Sequence, residues 1–91
     1  MSETRLKAAI TRALRERGAW VYKVHGGPLG SAGVPDLLVC YKGRFVAVEV
    51  KIPSGRVSPR QRLVIREIVA AGGEAIVAWS VAEALAIITA A

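Results

Sequence analysis

Two apolar runs on either side of Lys42-Gly43 limit what this chain can fold into more than any other feature. Residues 36–41 and 44–51 place Leu37, Leu38 and Val39 against Val46, Ala47 and Val48, apolar at consecutive rather than alternate positions. Strands that are apolar on both faces are covered on both faces, so these runs predict a central strand pair packed under helices. Lys42-Gly43 fits the two-residue loop of a β-hairpin. With that loop, opposed residues have numbers adding to 85, so Tyr41 faces Arg44, Val39 faces Val46 and Asp36 faces Glu49.

The rest of the chain supplies the covering helices. Leu6, Ala9, Ile10, Ala13 and Leu14 recur at the spacing of one helical face, predicting a helix entered at Ser2 and ended by Gly18. Residues 19–24 read as a short strand that runs into the glycine-rich loop 25–33. Ser58-Pro59-Arg60-Gln61 has the form of a capping box with proline at the first helical position, and Gly72-Gly73 closes that second helix. Residues 75–79 predict a fourth strand, and Ser80-Val81-Ala82-Glu83 a second capping box opening a terminal helix. The fold class is therefore α/β, in αβββαβα order, with a central mixed sheet flanked by helices.

At 91 residues the chain has room for one domain, spanning 1–91, with a dense core, as 53% of residues are hydrophobic. One cysteine, Cys40, and one histidine, His25, exclude a disulfide framework and a structural zinc site. The formal charge of +6 is uneven: residues 1–66 carry 13 basic and 4 acidic groups, and residues 67–91 carry only Glu67, Glu74 and Glu83. A basic front suggests a polyanionic partner, and the acidic, apolar tail a packing or self-association surface. No apolar run is long enough for a membrane span or a secretory signal, so the expectation is a cytoplasmic protein with no membrane partner.

The predicted hairpin register concentrates chemistry at one point. Opposed Cβ atoms lie about 4.5–5.5 Å apart, so Asp36 and Glu49 repel, and Lys51, two residues on, projects from the same face with a single compensating charge. A hard divalent cation such as Mg²⁺ or Mn²⁺ satisfies this geometry, held by Asp36, Glu49 and the backbone carbonyl of Val50. Lys51 is then placed to orient a water or to stabilise charge on a phosphate. This is the chemistry of a phosphodiester hydrolase.

Pro35-Asp36, twelve residues, then Glu49-Val50-Lys51 resembles the PD-(D/E)XK nuclease motif, whose restriction-endonuclease-like core has the element order read above. Gly33-Val34-Pro35-Asp36-Leu37-Leu38, Val48-Glu49-Val50-Lys51, Gly55-Arg56-Val57-Ser58 and Gln61 resemble the stand-alone virus-type replication and repair nuclease domain, VRR-NUC. The resemblance implies that Asp36 and Glu49 bind metal and that Lys51 is catalytic. It also brings Glu3 and Gln61 to the active site. The substrate class it implies is branched double-stranded DNA, cut by a homodimeric Holliday junction resolvase similar to the archaeal ones. The alternatives are a flap or nicking nuclease with the same site, or a DNA-binding module that keeps the fold without turnover.

Beside that implication, Glu3 is equally explained by the helix macrodipole and Gln61 by the capping box. Arg56, Arg60 and Arg62 cluster with Arg66 at the second helix, and Lys23, Lys42 and Arg44 lie at strand ends; these are the candidate phosphate contacts. Ser31 in the glycine-rich loop is either a further phosphate contact or a solubilising residue. His25 reads as a surface or phosphate-contacting group, and Cys40 as a small apolar filler. Arg12, Arg15 and Arg17 read as a solvated helix face that adds to the field.

Overall fold

A computed structural model describes residues 1–25 and 32–90. Helix α1 (Glu3–Glu16) is capped by Ser2, whose hydroxyl accepts from the Arg5 N–H at 3.1 Å. Strands β1 (Trp20–Lys23), β2 (Leu37–Tyr41) and β3 (Arg44–Val50) follow, then α2 (Pro59–Ala70), β4 (Glu74–Ala78) and α3 (Val81–Thr89). One sheet in the order β1-β2-β3-β4 is antiparallel across its first three strands and parallel between β3 and β4, where α2 makes the crossover. The expected α/β class, mixed sheet and αβββαβα order are all present.

Alternation along β3 divides the molecule. Val46, Val48 and Val50 join Val21, Leu37, Val39 and Ala78 on one face, where Leu6, Ile10 and Leu14 of α1 and Ala84 and Ile88 of α3 cover them. Each fully buried side chain of this kind contributes about 1.5–3 kcal/mol, so this face carries the core. The other face presents Ala47 and Glu49 and is only partly roofed: α2 packs against β4, and none of its residues is fully buried. Trp20, Tyr22 and Phe45 stay about half exposed, Trp20 and Phe45 sharing Cys40 as cross-strand neighbour.

The hairpin register is the one the loop predicts, with Tyr41 on Arg44, Cys40 on Phe45 and Val39 on Val46. Lys42 (φ 47°) and Gly43 (φ 82°) both take the left-handed backbone that a two-residue turn with matching twist requires. Pairing stops at Leu37 on Val48, so Asp36 is not the ladder partner of Glu49 that the register alone implies. The next bonded pair would put Pro35 opposite Val50, and proline has no N–H to exchange. The Asp36 carboxylate takes the free donor instead, accepting from the Val50 N–H at 2.9 Å.

Two further expectations change. The Ser80 hydroxyl caps α3 through the Glu83 N–H, but the Glu83 carboxylate accepts from the Trp79 N–H, so the second capping box is one-sided. Arg44 is not free for a phosphate: its guanidinium holds Glu74 at 2.6 Å and donates to the carbonyls of Ile87, Ile88 and Ala90, tying down the end of α3. Among the described residues no helix is long and apolar enough to cross a membrane.

Candidate active site

Three consecutive choices on β3 and its exit fix the centre. Val48 and Val50 anchor the strand in the core, which forces Glu49 onto the opposite face, where it is only 1% exposed. Its Oε2 accepts from Gln61 Nε2 at 2.9 Å and lies 3.5 Å from Lys51 Nζ, while Oε1 is buried with no hydrogen-bond partner among the described residues. Burial, and then the neighbouring Asp36 charge, push the Glu49 carboxyl up to about 7, against the opposing pull of Lys51. Lys51 is itself buried, its N–H bonded to the Ala78 carbonyl, and its Nζ also lies 3.9 Å from Glu3 Oε1. On the far side Asp36 Oδ1 meets Lys7 Nζ at 3.2 Å.

Gln61 both caps α2 and touches Glu49. Its Oε1 accepts from the Ser58 N–H at 2.9 Å and its N–H donates to the Ser58 hydroxyl, which completes the capping box. The remaining amide donors are what reach Glu49. Glu3, in the first turn of α1, meets Lys51 rather than the carboxylates, and Gly55 sits so close that a Cβ there would lie 3.4 Å from Glu3 Oε2.

The donor set fits a hard divalent cation. An unpartnered buried carboxylate oxygen is costly unless something binds it, and here it sits beside a second carboxylate. Among the described residues no three His, Cys, Asp or Glu side chains converge to hold a metal by themselves. An ion at Asp36, Glu49 and the Val50 carbonyl would therefore complete its shell with water or phosphate oxygens, which is how Mg²⁺ is usually bound.

The basic candidates separate in space. Arg56 and Arg62 line one cleft of about 550 Å³ with Gly55, Val57, Ser58, Pro59 and Trp79, at the same end of the sheet as Lys51. Arg60 turns the other way, its Nε 3.4 Å from the Ala32 carbonyl. Gly33 (φ 83°) permits that approach, since a Cβ there would fall 2.7 Å from the Arg60 carbonyl oxygen. Lys23 pairs with Leu37 and so stands one strand away from Asp36. Lys42 lies at the hairpin turn, the opposite end of β2, with Nζ over the Tyr41 ring, and is not brought to the carboxylates. Ser31 lies outside the described residues. The sequence reading missed Lys7; its signal was the i, i+4 spacing from Glu3, which puts both on one side of α1.

Three antiparallel strands, a parallel fourth and a crossover helix make a nuclease-like fold, and the family match makes it a nuclease of the PD-(D/E)XK type. The profile described as the VRR-NUC domain matches residues 8–82, and the chain belongs to that family. A solved structure described as a VRR_NUC domain superposes with a TM-score of 0.77 at 25% sequence identity, covering 94% of this chain and 92% of that one. None of the curated proteins compared matches it.

Proposed function

We propose that residues 1–91 form a single Mg²⁺- or Mn²⁺-dependent, structure-selective DNA endonuclease, a homodimeric Holliday junction resolvase. The observation that carries the metal-dependent reading is the buried, unpartnered Oε1 of Glu49 beside Asp36 and Lys51. Asp36, Glu49 and the Val50 carbonyl hold the ion. When bound, it supplies charge neutralisation at the scissile phosphate and lowers the pKa of water. Lys51 Nζ offers positive charge to the phosphate oxygens as the bond to the leaving group breaks. Glu3 positions Lys51, and Gln61 fixes the Glu49 rotamer. Arg56, Arg60, Arg62 and Lys23 contact flanking phosphates.

The homodimer is supported by the half-exposed Trp20, Tyr22 and Phe45 on the sheet face that α2 roofs only in part. Two sites related by a two-fold axis match the two symmetric cuts that resolve a four-way junction. The test compares a four-way junction, a flap and a linear duplex, with and without Mg²⁺ or Mn²⁺. Expected is metal-dependent paired incision of the junction at least about tenfold faster than cutting of linear duplex, by a particle of twice 9.7 kDa. Equal rates on linear duplex overturn junction selectivity, a preference for the flap reassigns the substrate, and no cleavage of any substrate leaves a DNA-binding module.

A further inference from the structure

Helix α1 crosses the ends of the strands in order. Glu3 meets Lys51 beyond β3, Lys7 meets Asp36 before β2, and the next turns of the helix reach β1. There α1 and β1 enclose a groove of about 500 Å³ lined by Ala8, Thr11, Arg12, Arg15, Glu16 and Lys23. Three cations face one carboxylate, that of Glu16, which lies one helical turn beyond Arg12.

The groove is built as well as charged. Arg15 is not a freely solvated side chain: its Nη2 donates to the Val21 carbonyl at 2.8 Å. The Thr11 hydroxyl, also lining the groove, is turned back onto the Lys7 carbonyl at 2.8 Å. Because the Val24 N–H bonds to the Asp36 carbonyl, the alternation of an antiparallel ladder turns the backbone of Val21 and Lys23 toward the open edge of the sheet. Among the described residues Arg15 covers the Val21 carbonyl, and the Val21 and Lys23 N–H groups face the same open edge.

We propose that this groove binds the DNA backbone on the side of the cut opposite Arg56 and Arg62. The two basic sets lie at opposite edges of a four-stranded sheet, roughly 14 Å apart at about 4.8 Å per strand, with Asp36, Glu49 and Lys51 between them. A strand laid across the site meets positive charge before and after the scissile phosphate, a span of about four nucleotides at 3.4 Å rise. Arg12 and Arg15 then act as substrate contacts rather than as a general field. This assignment rests on the DNA-cutting reading but is separable from it, because binding can be measured without turnover.

The test is the double substitution Arg12→Gln with Lys23→Gln, which leaves Arg15 on the Val21 carbonyl. Anisotropy titrations of a four-way junction, in Ca²⁺ or without divalent metal, are compared with a control pair outside the groove, Arg5→Gln in the first turn of α1 with Arg17→Gln at its C-cap. Expected is a roughly tenfold or greater loss of affinity for the groove variant, less than about threefold for the control, and a fall of about 1.8 in the salt slope. Unchanged melting of both variants shows that the loss is not unfolding. Equal losses in the two variants, or an unchanged salt slope in the groove variant, overturn the proposal even if the protein cuts DNA. Conversely, a wild-type protein that binds with the expected slope but never cuts retires the resolvase reading and leaves the groove standing.

Discussion

The two faces of the sheet are made by neighbouring residues on the same strands, yet they do opposite things. Val46, Val48 and Val50 point under α1 and α3 and are at most 2% exposed. Ala47, Glu49 and Lys51 point the other way, toward a roof that only α2 provides and that leaves Trp20, Tyr22 and Phe45 open. Nearly all the apolar burial that makes so short a chain stable is spent on the first face. The second is thereby free to hold a buried carboxylate with an oxygen unbonded, a local penalty that the first face offsets.

The largest test of this division removes chemistry without touching the core. Lys51→Ala or Asp36→Asn should lower the cleavage rate by about 10³-fold or more while leaving junction affinity within threefold. Measurable full-rate cutting by either variant breaks the assignment of that face. Next comes a pair of adjacent leucines on β2. Leu37→Ala, on the covered face, should cost about 2–5 kcal/mol by urea unfolding, and Leu38→Ala, half buried on the other, less than half as much. Similar costs would mean that the second face is as well packed as the first.

A third test uses the sign of the Glu49 shift. Its folded pKa, about 7, lies above the unfolded value of 4.5, so the native state holds the proton more tightly. Stability from this source is fully present below pH 4.5 and falls as pH rises toward 7. In metal-free buffer Glu49→Gln should therefore stabilise the protein by roughly 3 kcal/mol at pH 8 and by nothing at pH 4. A constant difference between the two pH values contradicts it. Smallest is Gln61→Ala, expected to cost about 1 kcal/mol from the lost cap and to slow cleavage about tenfold through a loosened Glu49. A stability loss with unchanged turnover would reduce Gln61 to a cap.

Most of the covered face was legible in the sequence, because hairpin register and helical spacing are local rules. The turn at Lys42-Gly43 set every β2 to β3 pair from Leu37 onward, and Ser2 and Ser58 marked the helix starts. The other face was legible only in outline. That Glu49 and Lys51 project together follows from a period of two, but the side-chain bond from Asp36 to Val50 depends on the missing N–H of Pro35 at the end of the ladder. Lys7 and Arg44 have partners set by how helices lie on the sheet, Asp36 for one and the end of α3 for the other. The i, i+4 spacing puts Lys7 on the Glu3 side of α1 but does not name Asp36 as its partner. Basic residues of similar appearance were therefore separated by the structure into an α3 clamp, a turn residue and two grooves.

Gln61 also ties the timing of activity to the docking of one helix. Its amide can hold Glu49 only when the first turn of α2 is wound, because the same side chain closes that turn on Ser58. A nascent or heated chain in which the hairpin has formed but α2 has not would present its carboxylates without their clamp. The enzyme would then lose competence at a lower temperature than it loses its fold.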